Sequence, residues 1–312
     1  MAPGLAARSV GDMSKRILLG YAGDRAGRDA AVLASELAAR LGAELIIAFP
    51  YHPLLATVSA SVAQERVSGE LHALLGDEGP IATAAYRWSN ASWPVRALHE
   101  LAAFEDVQML VLGASPERLE RRGIGLMERV AHGSGCAIAV APEGYAERPK
   151  HDLETIGVGF TDSPEARAAI ALGEQLAREA GAELRVIAGS SLGSALASYA
   201  FSSPSLPLIE DELYAEAKTG AEELLAELAP SEGVRLDVRR GEPCRVLVEA
   251  SRSLELLILG SRAYGPLRHV LLGGVSGPVM REAHCPVIVL PRDAIDSLAG
   301  SPIIPASNVR DV

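Results

Sequence analysis

The residues best suited to chemistry lie between Leu256 and Val287. The apolar run 256–259 ends on Gly260. A basic loop carrying Arg262, Arg268 and His269 follows. The chain then turns through Gly273, Gly274, Val275, Ser276, Gly277 and Pro278 into helical spacing. A strand end, a basic loop and a glycine turn opening a helix together can hold a phosphate chain. Free N–H groups and the positive end of the helix dipole face the anion. The same glycines can instead serve close packing of a helix on a strand, and spacing alone leaves both readings open.

Other chemistries find less support. A Walker-type phosphate loop needs Gly-Lys-Ser/Thr, and no lysine follows a glycine anywhere in the chain. The pair Gly157 and Gly159 lacks the third glycine of a dinucleotide fingerprint, so NAD is not expected. Glu128 and His132 stand at i, i+4 and His284 precedes Cys285, but neither pair makes a nucleophile–base set by spacing. The run 210–212 (Glu-Asp-Glu) reads as a solvated helix start. No catalytic residue is assigned. Cys136, Cys244 and Cys285 show no metal-ligand spacing and read as small hydrophobes.

Composition bounds the partners. The 312 residues are 48% apolar and 22% charged, and the net charge is −11 with only three lysines, Lys15, Lys150 and Lys218. An acidic chain of this kind argues against nucleic acid or an anionic membrane as the main partner. An anion site must therefore be a local basic pocket. No apolar run reaches membrane-spanning length and the first residues lack a signal-peptide core, so a cytoplasmic location is expected.

The elements that position the loop follow from periodicity. Apolar runs predict strands near 16–22, 43–49, 80–88, 107–113 and 136–142. Helical spacing predicts helices at 25–41, stopped by Gly42, and near 60–75, 95–104 and 124–134. The second half repeats this order, with strands near 155–161, 183–189, 234–239, 254–260 and 286–291 and helices near 164–180, 208–229, 243–252 and 276–283. Gly-Ala-Glu-Leu at 42–45 recurs at 181–184. Pro94-Val-Arg96 matches Pro243-Cys-Arg245, and Cys136-Ala-Ile-Ala-Val matches Cys285-Pro-Val-Ile-Val. A repeat of about 145 residues is a domain duplication and not a solenoid. The expected division is an extension at 1–14, a domain at 15–142, a polar linker at 143–153, a second domain at 154–292 and a tail at 293–312.

Element order, domain length and the stretch 260–291 together resemble the universal stress protein family, as a tandem of two domains. The resemblance implies an α/β fold of two doubly wound domains, each with a five-stranded parallel sheet of the adenine nucleotide alpha hydrolase-like kind. They would pack as a pseudo-dimer through their fifth strands, 136–141 and 286–291. Nucleotide-binding members carry Gly, two residues, Gly, nine residues, then Gly-Ser or Gly-Thr. Gly260 and Gly273 hold the first and third places; Ala263 stands in the second, and Gly274 replaces the hydroxyl residue. Thr161 stands where members have an acidic residue, with Asp162 beside it. The implied site comprises Phe160, Thr161, Asp162, Ala188, Leu259, Gly260, Arg262, Ala263, Gly273, Gly274, Val275 and Ser276. It would take ATP or a related nucleotide, with Mg possible alongside.

In the first copy Gly113 remains, Pro116 takes the second glycine's place, Ala22 replaces the acidic residue, and only Gly123 to Leu126 follow as candidates, with Arg121 and Arg122 nearby. That copy reads as a structural half. The resemblance implies a role in stress response or signalling, with a protein partner, possible homodimerisation of the tandem unit, and at most slow ATP hydrolysis. A nucleotide-independent scaffold is the alternative. Replacing Gly273 with Val should fill the phosphate space and abolish nucleotide binding in a calorimetric titration; unchanged affinity would misplace the site.

Overall fold

The computed structural model describes residues 15–50, 58–89, 94–114, 126–148, 152–160, 164–190, 206–228, 233–261 and 274–291. In the first half, β1 (Arg16–Gly20), β2 (Glu44–Pro50), β3 (Ala85–Ser89), β4 (Met109–Gly113) and β5 (Ala137–Ala141) alternate with α1 (Arg25–Leu41), α2 (Ala60–Leu75), α3 (Pro94–Phe104) and α4 (Leu126–Ala131). The second half repeats the order: β6 (Thr155–Gly159), α5 (Pro164–Ala180), β7 (Glu183–Ser190), α6 (Leu206–Leu228), β8 (Val234–Arg240), α7 (Pro243–Ala250), β9 (Leu256–Gly260), α8 (Ser276–Glu282) and β10 (Val287–Leu290).

Helix α1 shows how local sequence sets an element. Asp24 caps its start, its side chain accepting from Gly27 N at 2.8 Å. Ala30, Ala31, Leu33, Ala34, Leu37, Ala38 and Leu41 are all buried. Gly42 ends the helix at φ 59°, in the left-handed region that favours glycine. One predicted strand is shorter than expected. Residues Gly79–Thr83 form a 3₁₀ turn and only Ala85–Ser89 are strand. Pro80 has no N–H to give a ladder, which explains the late start.

The ten strands form one sheet, in the order β3-β2-β1-β4-β5-β10-β9-β6-β7-β8. Every pairing is parallel except β5 with β10, which is antiparallel, with Val287 opposite Val140, Ile288 opposite Ala139 and Val289 opposite Ile138. The expected contact through the fifth strands is therefore direct hydrogen-bonded pairing, and the two five-stranded sheets are continuous. Ala137 to Ala141 and Val287 to Leu290 are at most 2% exposed. Burying each of the larger of these side chains contributes about 1.5–3 kcal/mol.

Alternation along the strands divides the core into two layers. On one face Ile17, Leu19, Ala139, Ile156, Ile258 and Ile288 pack with α1, α2 and α5. On the other, Leu18, Leu110, Ile138, Leu257, Leu259 and Val289 pack with α3, α4, α7 and α8. Both layers run unbroken across the seam. Cys136 and Cys285 lie at corresponding positions beside it, and burial pushes the Cys285 thiol up to about 12. They behave as small hydrophobes, while Cys244 is only partly buried. No helix among the described residues is long and apolar enough to cross a membrane.

The segment after β5, expected as a polar linker, is tied down over 143–148. Asp29, 1% exposed on α1, accepts from Gly144 N at 2.9 Å and Ala146 N at 2.7 Å. Tyr145 donates its hydroxyl to Glu36 at 2.6 Å, and burial with that carboxylate raises its pKa. Arg148 Nη1 then reaches the His284 carbonyl of the second half at 2.6 Å. Arg25 pairs with Glu143 and Glu147, but these groups are well exposed and solvent screens them. The buried Asp29 is therefore the stronger tie. Asp29→Ala should lower stability by about 1–3 kcal/mol by leaving two amides unpaired, whereas Arg25→Ala should change little. Urea denaturation of both variants checks the contrast.

Candidate functional site

In each half the first strand lies between the second and the fourth, so the chain reverses its direction of winding beside it. The crevice at the carboxyl ends of those central strands is where open α/β sheets bind ligands. In the second half this is the end of β6 and β9. Phe160 extends β6 by donating its N–H to Ile187 O at 2.8 Å, and Ser261 extends β9 by donating to Leu290 O at 2.9 Å. The register pairs Val158 with Ile258 and Gly159 with Ile187. One step further on, Phe160, Ala188 and Gly260 lie level at this end. Helix α8 must begin at the same end, because it returns the chain to the start of the parallel strand β10.

The structure thus brings together seven of the expected site residues: Phe160, Ala188, Leu259 and Gly260 at strand ends, and Gly274, Val275 and Ser276 at the helix start. Thr161, Asp162, Arg262, Ala263 and Gly273 lie outside the described residues. The seven differ in kind. Leu259 is 4% exposed and its side chain belongs to the α7–α8 layer, so only its backbone faces the crevice. Ala188 is buried and Phe160 partly so. Val275 precedes α8 and has no side-chain oxygen with which to cap it. Around Gly274, no atom lies within 4 Å of the place a Cβ would occupy.

The reading of the sequence did not single out Ser261. It is 1% exposed, and its Oγ has no hydrogen-bond partner. Such a group is costly unless something reaches it. The available signal was positional: it is a hydroxyl directly after the strand-ending glycine.

The first half has the same backbone frame with the crevice filled. Tyr21 N donates to Ala48 O, and Ala114 N donates to Ala141 O, both at 2.9 Å, matching Phe160 and Ser261. Tyr21, however, is 3% exposed and donates its hydroxyl to Glu70 of α2 at 2.9 Å. Burial, then the Glu70 contact, pushes the phenol up to about 12. At Gly113 a Cβ would stand 1.9 Å from the Ala26 carbonyl oxygen. The first turn of α1 lies directly on the end of β4, so Gly113 is a packing glycine. Pro116, Arg121, Arg122 and Gly123 to Gly125 lie outside the described residues. Gly157 is likewise packed, its Cβ position 2.4 Å from Leu254 Cδ1, which fits no dinucleotide turn.

A cavity of about 250 Å³ lies at the seam, lined by Glu36, Leu74, Tyr145, Arg148, Glu255 and Cys285 among others. Its charged groups are already engaged. Glu36 holds Tyr145, Arg148 holds the His284 carbonyl, and Glu255 accepts from Thr155 N at 2.6 Å. Among the described residues no three His, Cys, Asp or Glu side chains converge to hold a metal ion.

Comparison with known proteins follows from this geometry. Residues 153–291 match the model of the universal stress protein family. Over these residues the chain is similar to that family. A universal stress protein of Mycobacterium tuberculosis is 30% identical over 207 residues, which is 64% of this chain and 66% of that protein, just under two thirds of its length. A solved universal stress protein from Archaeoglobus fulgidus matches 89% of this chain and 99% of its own at a TM-score of 0.58 and 16% identity, a likeness of fold. A universal stress protein solved in complex with cAMP matches 46% of this chain and 99% of its own, at a TM-score of 0.31 and 19% identity.

Gly113 and Gly274, which occupy different places in the repeat, differ in packing. Gly113→Ala drives a methyl into the main chain of α1 and should cost about 1–3 kcal/mol or more. Gly274→Ala meets open space and should stay within about 0.5 kcal/mol. Thermal unfolding of the two variants measures the difference.

Proposed function

We propose that the second half binds ATP or a related adenine nucleotide at the ends of β6 and β9, and that the first half is a degenerate copy serving as a structural partner. The observation that carries this reading is the buried hydroxyl of Ser261, left without a partner beside Gly260 at the switch point of the second half. In the first half, Ala26 and the Tyr21–Glu70 bond occupy the crevice. In the second, Gly274 adjoins open space. An orphaned donor and an uncrowded glycine at a topological switch point fit an oxygen-rich ligand.

Gly260, Gly273, Gly274 and Ser276 would hold the phosphates, with Arg262 supplying charge. Phe160, Thr161, Asp162 and Ala188 would face the base and ribose. A Mg ion accompanying ATP would be held chiefly by the phosphates, with Asp162 the nearest acid in sequence. No described group is placed as a nucleophile or a general base, so the protein acts in stress response or signalling through occupancy rather than turnover. In this reading residues 15–142 and 154–292 are the two domains, joined by 143–153, in a cytoplasmic protein that signals to a protein partner and can pair as a homodimer of the tandem unit.

The test is mass analysis of small molecules released from the purified full chain, followed by calorimetric titration with ATP, ADP and AMP. Binding of one nucleotide per chain is expected. Two sites per chain would refute the degenerate first half. Absence of both released nucleotide and heat would leave a nucleotide-independent scaffold, and turnover abolished by Arg262→Ala would make the protein an ATPase.

A further inference from the structure

Charged groups of both signs face the cavity at the seam without pairing. Glu36 of α1, Arg148 of the segment after β5, and Glu255, one residue before β9, all line this space of about 250 Å³. Among the described residues none of them forms an ion pair. Each is instead fixed by a hydrogen bond to a neutral group. Glu36 Oε2 accepts from the Tyr145 hydroxyl, Arg148 Nη1 donates to the His284 carbonyl, and Glu255 Oε2 accepts from Thr155 N, all at 2.6 Å. These bonds leave Oε1 of both glutamates, and Nε and Nη2 of the arginine, without a protein partner. The Tyr145 ring, its centroid 5.9 Å from Arg148 Cζ, steadies the guanidinium further. Burial is the first cause of the raised Cys285 thiol, but the charges of Glu255 and Arg148 also reach it, so both stand about one point of the wall without meeting.

The first half supplies an internal comparison. Gln108 precedes β4 as Glu255 precedes β9, and its Oε1 accepts from Arg16 N at 2.6 Å just as Glu255 accepts from Thr155 N. Its amide nitrogen is used as well, donating to Asp106 O at 2.7 Å. Tying down the first strand therefore needs only a neutral carbonyl oxygen. At Glu255 that oxygen comes with a charge and a second, unused acceptor, and there the position lines a cavity. Leu74, Leu153 and Leu254 make much of the remaining wall apolar. Leu153, Leu254 and Cys285 precede β6, β9 and β10, so the cavity lies at the strand starts of the second half, at the other end of that sheet from Phe160 and Gly260.

We propose that this cavity is a second ligand site, for a small zwitterion with an apolar side chain: an aliphatic α-amino acid, its carboxylate on the free edge of Arg148 and its ammonium on Oε1 of Glu255, with Glu36 as a further acceptor. The volume of about 250 Å³ lies under the ~300–1,000 Å³ of sites for drug-sized ligands, as a molecule of this size requires. The ligand supplies the opposite charge that each side chain lacks, through charge-assisted bonds. Because α1 and the segment after β5 belong to the first half and Glu255 to the second, the bound molecule bridges the seam. The site is independent of nucleotide binding.

The experiment compares the wild-type full chain with Arg148→Gln and Glu255→Gln. Each variant removes a charge but keeps a group able to make the existing bond to the protein, and thermal unfolding without ligand checks that each is folded. The ligands are L-leucine, L-methionine, 4-methylpentanoate, which is leucine without its amine, and isoamylamine, which is leucine without its carboxylate. Calorimetric titration of the wild-type chain should show one amino acid bound per chain, and either amino acid should raise its unfolding temperature. The two half-molecules should bind about tenfold or more weakly than L-leucine. Arg148→Gln should weaken L-leucine about tenfold or more and leave isoamylamine at its wild-type affinity; Glu255→Gln should weaken L-leucine likewise and leave 4-methylpentanoate unchanged. A wild-type chain that binds neither amino acid would overturn the proposal. So would wild-type affinity for L-leucine in both variants, or isoamylamine binding as tightly as L-leucine, which would make the cavity a site for simple amines.

Discussion

The antiparallel pairing of β5 with β10 is the constraint on which the remaining architecture depends. Each strand would otherwise be the edge of a five-stranded sheet, with its backbone groups open to water and an apolar row on either side. Joined, the strands bury Ala139 against Ile288 and Val140 against Val287, and both core layers pass through the join without interruption. The strap from Glu143 to Arg148 is secondary to this. It fastens to α1 through Asp29 and reaches the second half through the His284 carbonyl. The outer edges are treated differently. On β8, Arg239 pairs with Asp237, so charge is kept on a strand that ends the sheet.

The same fold has been used twice, with different results at the switch point. The repeated backbone bonds of Tyr21 and Phe160, and of Ala114 and Ser261, show that the frame is held in common. What differs is side-chain occupancy. Tyr21 reaches Glu70, and Ala26 rests on Gly113. A glycine at the end of a strand therefore carries no functional meaning by itself. At Gly113 it admits a helix, and only its surroundings distinguish that use from phosphate binding.

Much of this was legible in the residues. The spacing of alanines and leucines, Asp24 and Gly42 defined α1 at both ends. The duplicated Gly-Ala-Glu-Leu and Cys-start strands made the two halves visible and identified the strands that meet at the seam. The strand ends carrying Phe160, Ala188 and Gly260 followed from the same alignment. Residues 80–84 were misread because an apolar run hid the effect of Pro80. The strap was missed because Asp29 acquires its meaning from amides more than a hundred residues away. Ser261 was missed for a similar reason. That a hydroxyl lacks a partner is a property of everything packed around it, which no local pattern records.

The antiparallel seam has one more consequence. It turns the second half's strands against the first's, so the two crevices open at opposite ends of the slab. Tyr21 and Glu70 meet at one of them and Phe160 stands at the other, so the molecule is polar although its scaffold is nearly two-fold symmetric. A pair of identical single domains would present two equivalent mouths; this chain has a front and a back. The switch point of the second half lies at the end where β1 begins, near Lys15 and Arg16, and that of the first half at the end where β6 begins, near Thr155.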